Sequence, residues 1–165
     1  QPDTPLFFKS AQTPDWVITP GILFNHESPL RAEHFVTKKI ISGACAIARG
    51  EKEFIELGNL EVERDWGWAP EYVDAMYRIL QHHVADDFVI ATGKSTSLRN
   101  LVAGAFSYLG LNWREHIRIS SCFLRSEEIQ QSLGNPKKAL DELGWSATYG
   151  VEDVISGMIR DHQDQ

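Results

Sequence analysis

At 165 residues the chain is long enough for one domain with a real core. Hydrophobic residues make up 42% and charged residues 24%, which argues against disorder. The net charge of −7 argues against a nucleic-acid-gripping surface and leaves room for a local basic pocket that takes a small anion.

Residues 1–14 read as loop, because Pro2, Pro5 and Pro14 disfavour regular structure. Trp16–Phe24 is β-like, broken by Pro20-Gly21, and Ile22–Phe24 are expected to bury the strand. Ala32–Ala48 fits a helix with Val36, Ile40, Gly43, Ala44 and Ile47 on one face, closed by Gly50. "FIEL" (54–57) is a short strand. Pro70 suits the first position of the next helix, with Val73, Met76 and Leu80 predicted to face inward. "DFVIATG" (87–93) is a buried strand. Thr96 or Ser97 caps a helix carrying Leu98, Leu101, Val102, Ala105 and Leu109, ended by Gly110. "IRISSCF" (117–123) is a strand. Asn135-Pro136 opens a helix as cap and first position, with Ala139, Leu140 and Leu143 inside and Gly144 after it. Val151, Val154, Ile155, Met158 and Ile159 stripe a last helix. The alternation of strand and helix predicts an α/β or α+β fold.

Two cysteines, Cys45 and Cys122, do not make a disulfide framework and read as free thiols of a cytoplasmic protein. No apolar run reaches the roughly 18 residues that a membrane helix needs, so no membrane partner is expected. The opening "QPDTPLFFKSAQTP" lacks the shape of a signal peptide.

Several familiar motifs fail. "ATGKST" (91–96) has the end of a phosphate-binding P-loop, but Phe88 stands where its first glycine belongs. "HESPL" (26–30) opens like a zinc-protease motif without the second histidine, and Pro29 would break its helix. His82-His83 point in different directions on a helix, so no metal site is expected. There is no dinucleotide glycine fingerprint, and no tyrosine is followed four positions later by a lysine.

Three polar clusters hold: "FNHESPLR" (24–31), "LGNLEVERDWG" (57–67) and "FLRSEE" (123–128). Each sits at the end of a predicted strand, where α/β proteins place ligands. Each carries an arginine, and the arginine fork suits phosphate. The plain alternative for Arg64-Asp65 is a local ion pair.

"GILFNHESPLRAEHFVTKKI" (21–40), "LGNLEVERDWGWAPEYVDAM" (57–76), "DFVIATG" and "LRSEEIQQSLGNPKKALDELGW" (124–145) together resemble the C-terminal half of the GDP-mannose 4,6-dehydratase family, within the extended short-chain dehydrogenase/reductase superfamily. The resemblance implies a Rossmann-like α/β fold. It makes residues 1–20 a telescoped remnant of the dinucleotide-binding half and 21–165 the part that binds the sugar nucleotide. It implies a bound NADP and GDP-mannose as substrate. Hydride leaves C4 of the mannose, water leaves across C5 and C6, and hydride returns to C6. By the family's pattern His26 and Arg31 lie against the cofactor. Asn25 donates to the pyrophosphate, Thr37 and Lys39 face the nucleotide, and Gly58 and Asn59 lie near guanine. Arg64 meets the phosphates, and Arg125 and Glu128 hold the ribose end. The family's catalytic residues belong to a half whose Tyr-x-x-x-Lys pair and glycine-rich loop do not occur in these 165 residues, so none of the catalytic positions is expected here. A homodimer or homotetramer is implied for the full-length protein. A chain break between about Gln12 and Ile22 is expected from the missing helix. Leu30, Ser126 and Asn135 depart from the family's usual arginine, proline and aspartate. A related GDP-4-keto-6-deoxy-mannose reductase and a non-catalytic nucleotide-sugar-binding module stand as alternatives.

Overall fold

The computed structural model describes residues 19–123 and 127–164. The break is expected between about Gln12 and Ile22, of which positions 12–18 lie outside those residues, as do Trp16 of the first predicted strand and Arg125 of the third cluster.

The first strand changes partner in its middle. β1 (Gly21–Leu23) runs parallel to β6 (Phe88–Ile90), and the Phe24 amide adds one more bond, to Ile90 O at 2.9 Å. Directly after it, β2 (Asn25–Glu27) runs parallel to β5 (Trp66–Trp68), with Asn25 opposite Trp66 and His26 opposite Gly67. The first three polar residues after Phe24 are therefore a strand in their own right. A strand that leaves one parallel neighbour for another opens a crevice at its carboxyl end, the usual place for a ligand in α/β folds. Ile22 is 42% exposed, so this strand is less buried than its apolar residues suggest.

Two further pairs complete the pattern. β3 (Ile55–Leu57) is parallel to β8 (Ile117–Ile119), and β4 (Glu63–Arg64) is antiparallel to β7 (Thr96–Ser97). The strand expected over 117–123 stops at Ile119. The Ser120 amide makes a last bond to Leu57 O, and residues 121–123 then coil into a 3-10 turn.

The main core lies between three helices and the β3–β5 region. α1 (Val36–Ala48), α3 (Leu98–Tyr108) and α6 (Val151–Gln163) bring Ile40, Ile41, Leu101, Phe106, Val154 and Ile159 together with Ile55, Leu57 and Trp66. Of the two candidate caps, Thr96 and Ser97, it is Ser97 that caps α3, accepting from the Asn100 amide at 3.2 Å. α1 begins four residues later than expected. Residues 33 and 34 form a turn, which leaves Val36 outside the buried stripe.

A second core joins α2 (Ala69–Gln81) to β6 and α5 (Lys137–Leu143) through Tyr72, Ile79, Phe88, Ile90, Ala139 and Trp145. Here the expected face of α2 is corrected. Val73 and Leu80 are 60% and 79% exposed and Met76 is also outside, whereas Tyr72, Ala75 and Ile79 are buried. Two apolar stripes run along α2 a residue apart, and periodicity cannot say which one meets the sheet. α5 also starts one residue late: Pro136 is its cap, and Asn135 Oδ1 accepts from the Lys137 amide at 3.1 Å. Leu140 is half exposed, so only Ala139 and Leu143 of its predicted inner face pack inward. α4 (Trp113–His116) is a single turn that periodicity did not predict. Among the described residues no helix is long and apolar enough to cross a membrane, and Cys45 and Cys122 are free thiols.

Candidate functional site

The β2–β5 pair carries the first cluster. His26 Nδ1 lies 2.8 Å from Phe24 O. A carbonyl only accepts, so Nδ1 donates this hydrogen bond. The imidazole stacks on Tyr72 with ring centroids 4.8 Å apart. Gly67 permits this packing: a Cβ there would lie 2.7 Å from the Tyr72 hydroxyl. Both that hydroxyl and Trp66 Nε1 are buried and have no hydrogen-bond partner among the described residues. Burial, with Asp65 and Glu71 adding repulsion, holds the Tyr72 phenol well above its ordinary range. Glu27, deeply buried, accepts a hydrogen bond from the Thr37 hydroxyl at 2.7 Å and faces Arg31 Nε at 3.1 Å. Burial raises its pKa, opposed by Thr37, Arg31 and His26.

The first turn of α1 links this cluster to a second. Thr37 is buried against Glu27, and two residues on, Lys39 Nζ lies 3.7 Å from the centroid of the Phe123 ring. Burial and the neighbouring Lys52 lower the Lys39 pKa, with Glu56 opposing. Gly58 sits under Phe123, whose carbonyl would collide with any Cβ. Gly58 and Asn59 also line a cavity of about 350 Å³ with Leu60, Trp113, Ile117 and Ile119. Asn59 Oδ1 is engaged by the Glu61 amide at 2.9 Å. The Arg99–Glu61 ion pair lies in the same wall.

The third cluster adjoins the first through the chain itself. Arg64 stands two residues before Trp66, the partner of Asn25, and opposite Thr96 in the β4–β7 pair. Its Nη1 donates to Glu63 O at 2.7 Å. No Arg64–Asp65 pair forms. Asp65 is fully buried and accepts from the Thr92 amide, the Thr92 hydroxyl and the Gly93 amide at 2.8, 2.7 and 2.9 Å. Glu63 bridges to Gln131, which brings the segment of Glu128 alongside Arg64's strand. Glu128 itself is half-buried, and its carbonyl accepts from Gln130 Nε2 at 3.1 Å.

Asn25, His26, Arg31 and Thr37 thus form one group, Lys39, Gly58 and Asn59 a second, and Arg64 with the Glu128 segment a third, all joined by short connections. Sequence reasoning missed Glu27, Asp65, Tyr72 and Phe123. Glu27 and Asp65 lie inside the quoted motifs, but nothing in a string of letters marks a carboxylate as buried. A larger hollow of about 440 Å³ beside α2 is lined by Glu71, Arg78, Trp145 and Tyr149. Its polar groups are spent on the chain: Glu71 accepts from Thr148 and Tyr149, and Arg78 donates to Leu143 O and Gly144 O.

This fold is that of extended short-chain dehydrogenase/reductase enzymes, with a Rossmann-like α/β architecture. The structure of RMD from Pseudomonas aeruginosa complexed with NADPH superposes with a TM-score of 0.81 at 19% identity, covering 90% of this chain and 48% of that one. A dTDP-glucose 4,6-dehydratase from Bacillus anthracis in complex with NAD superposes at 0.75 and 14% identity, covering 88% and 44%. At the level of sequence the match is narrower. A family model described as GDP-mannose 4,6 dehydratase matches residues 8–158. GDP-mannose 4,6 dehydratase 1 of Arabidopsis thaliana is 41% identical over 139 residues, which cover 84% of this chain and 38% of the plant protein. GDP-mannose 4,6 dehydratase 2 of Caenorhabditis elegans is 44% identical over 155 residues, covering 84% and 41%. The chain belongs to the GDP-mannose 4,6-dehydratase family, and it spans about two fifths of the length of these relatives.

Proposed function

We propose that this segment binds the GDP-sugar, and one side of the cofactor, in an NADP-dependent GDP-mannose 4,6-dehydratase that converts GDP-mannose to GDP-4-keto-6-deoxy-mannose. The observation that carries the reading is the adjacency of Arg64 to the β2–β5 pair. With Asn25 on that pair and Arg64 two residues before its partner Trp66, the reading sets an arginine fork and a side-chain amide on the same two negative phosphates. Lys39 supplies a second cation, and the cavity beside Gly58 and Asn59 offers apolar walls for a base. Thr37 acts from its buried place on Glu27, which fixes the turn that presents Lys39. Arg125 and Glu128 take the ribose end.

The residues suit a dinucleotide cofactor. The His26 ring is fixed through Nδ1 on Phe24 O and by stacking on Tyr72, and the two Nη groups of Arg31 donate to none of the described residues. NADP, when bound, supplies the site that accepts and returns hydride. The chain's own residues hold and orient: His26 and Arg31 on the cofactor side, Asn25, Lys39 and Arg64 on the phosphates. The full-length protein is further proposed to be a cytoplasmic homodimer or homotetramer.

Incubating the full-length protein with GDP-mannose and NADP tests the reading. Proton NMR should show the 4-keto-6-deoxy sugar appear without net consumption of cofactor. Unchanged GDP-mannose would contradict it, and reduction of added GDP-4-keto-6-deoxy-mannose with stoichiometric oxidation of NADPH would favour the reductase of the same superfamily.

A further inference from the structure

Glu27 ends β2 with 1% exposure, and a carboxylate at that depth is costly unless donors meet it. The Thr37 hydroxyl donates to Oε2 at 2.7 Å. Arg31 Nε lies 3.1 Å from the same oxygen, but its N–H is not aligned for a hydrogen bond, so that contact is Coulombic. The Phe35 ring lies against the same guanidinium, 3.6 Å from Cζ to the centroid. Arg31 is thereby held at Nε and on one face, while its Nη groups have no partner among the described residues. A purely structural contact would be served as well by apolar residues of similar volume. A fixed guanidinium with a free fork is what bidentate capture of an anion needs.

We propose that Glu27 is a positioning residue that holds the Arg31 guanidinium in place so that its Nη fork meets an anionic group of the dinucleotide cofactor. Glu27 does not touch the cofactor itself. The proposal rests on the reading of Arg31 as a cofactor contact. It adds that the contact depends on a buried carboxylate whose same oxygen is tied to α1 through Thr37.

Titration calorimetry of the full-length protein with NADPH, and separately with GDP, tests it. Glu27→Gln keeps the size and an acceptor for Thr37 but removes the charge. NADPH affinity should fall about tenfold, with GDP affinity within about twofold of the parent. In an Arg31→Ala background the same substitution should cost nothing further, because the group it acts through is gone. Unchanged NADPH affinity in Glu27→Gln would overturn the proposal, as would an equal loss for both ligands or an undiminished loss on the Arg31→Ala background. Should Glu27→Gln not fold, Glu27→Asp carries the test, since it withdraws the carboxylate from Arg31 and should weaken NADPH but not GDP. Arg31→Ala binding NADPH as tightly as the parent would fail the underlying reading, and the inference with it. Arg31→Ala weakened with Glu27→Gln unaffected would fail the inference alone.

Discussion

Asp65 and Thr92 are joined by two hydrogen bonds to one carboxylate oxygen, from the Thr92 amide at 2.8 Å and from its hydroxyl at 2.7 Å. The other oxygen takes the Gly93 amide at 2.9 Å. A fully buried carboxylate is thus satisfied by neutral donors, and it ties the β4–β5 junction to the carboxyl end of β6. Asp65→Ala should lose about 2–4 kcal/mol, since it strands two amides and a hydroxyl. Asp65→Asn should recover little, because its amide nitrogen would face the Gly93 N–H. Urea unfolding checks both, and an Asn variant as stable as the parent would contradict this assignment.

Gly58 has no room for a side chain beneath the Phe123 carbonyl. Gly58→Ala should cost about 1–3 kcal/mol, as overpacking against backbone does. It should also displace the Phe123 ring from Lys39. A fall in thermal midpoint together with weakened GDP binding by the full-length protein is the expected pair of results.

The two stripes of α2 make a paired test. Ile79→Ala should destabilise by about 2–4 kcal/mol, since the side chain is buried among Phe88 and Ile90. Leu80→Ala should change stability of this chain by less than about 0.5 kcal/mol, because Leu80 lies on the exposed face. Equal losses would mean that the face of α2 is misassigned.

Glu27 gives a pH dependence with a definite sign. Burial raises its pKa above the ordinary 4.5, against the pull of Thr37, Arg31 and His26. Between 4.5 and the higher native value the folded chain holds more of this proton than the unfolded chain does. Its contribution to stability is therefore greatest below 4.5 and is lost as pH rises through the native pKa. The stability difference between the parent and Glu27→Gln, followed across that window, should shift in favour of the variant as pH rises. A difference that is flat, or that moves the other way, would contradict the raised pKa.

Much of this was legible from residue order. The α3 stripe from Leu98 to Ala105, its Ser97 cap and the last helix follow from apolar spacing and a capping residue, both local signals. The face of α2 was not legible, because Val73 and Leu80 are as apolar as Tyr72 and Ile79 and only the sheet decides between them. The local Arg64-Asp65 ion pair, the plain alternative for that cluster, does not form, because Asp65 is claimed by Thr92, a residue 27 positions away in sequence. The candidate site was legible as three motifs. Their joining through Asn25 and Trp66, and through Thr37 and Lys39, depends on strand register and helix phase, which no single motif contains.

The central claim is that these clusters recognise a guanine nucleotide sugar. Calorimetric titration of the full-length protein with GDP-mannose, UDP-glucose and dTDP-glucose tests it most directly. GDP-mannose should bind at least about tenfold more tightly than either pyrimidine nucleotide sugar, and Arg64→Ala should weaken it by about tenfold or more. Equal affinity for all three, or an Arg64→Ala variant that binds GDP-mannose like the parent, would contradict it.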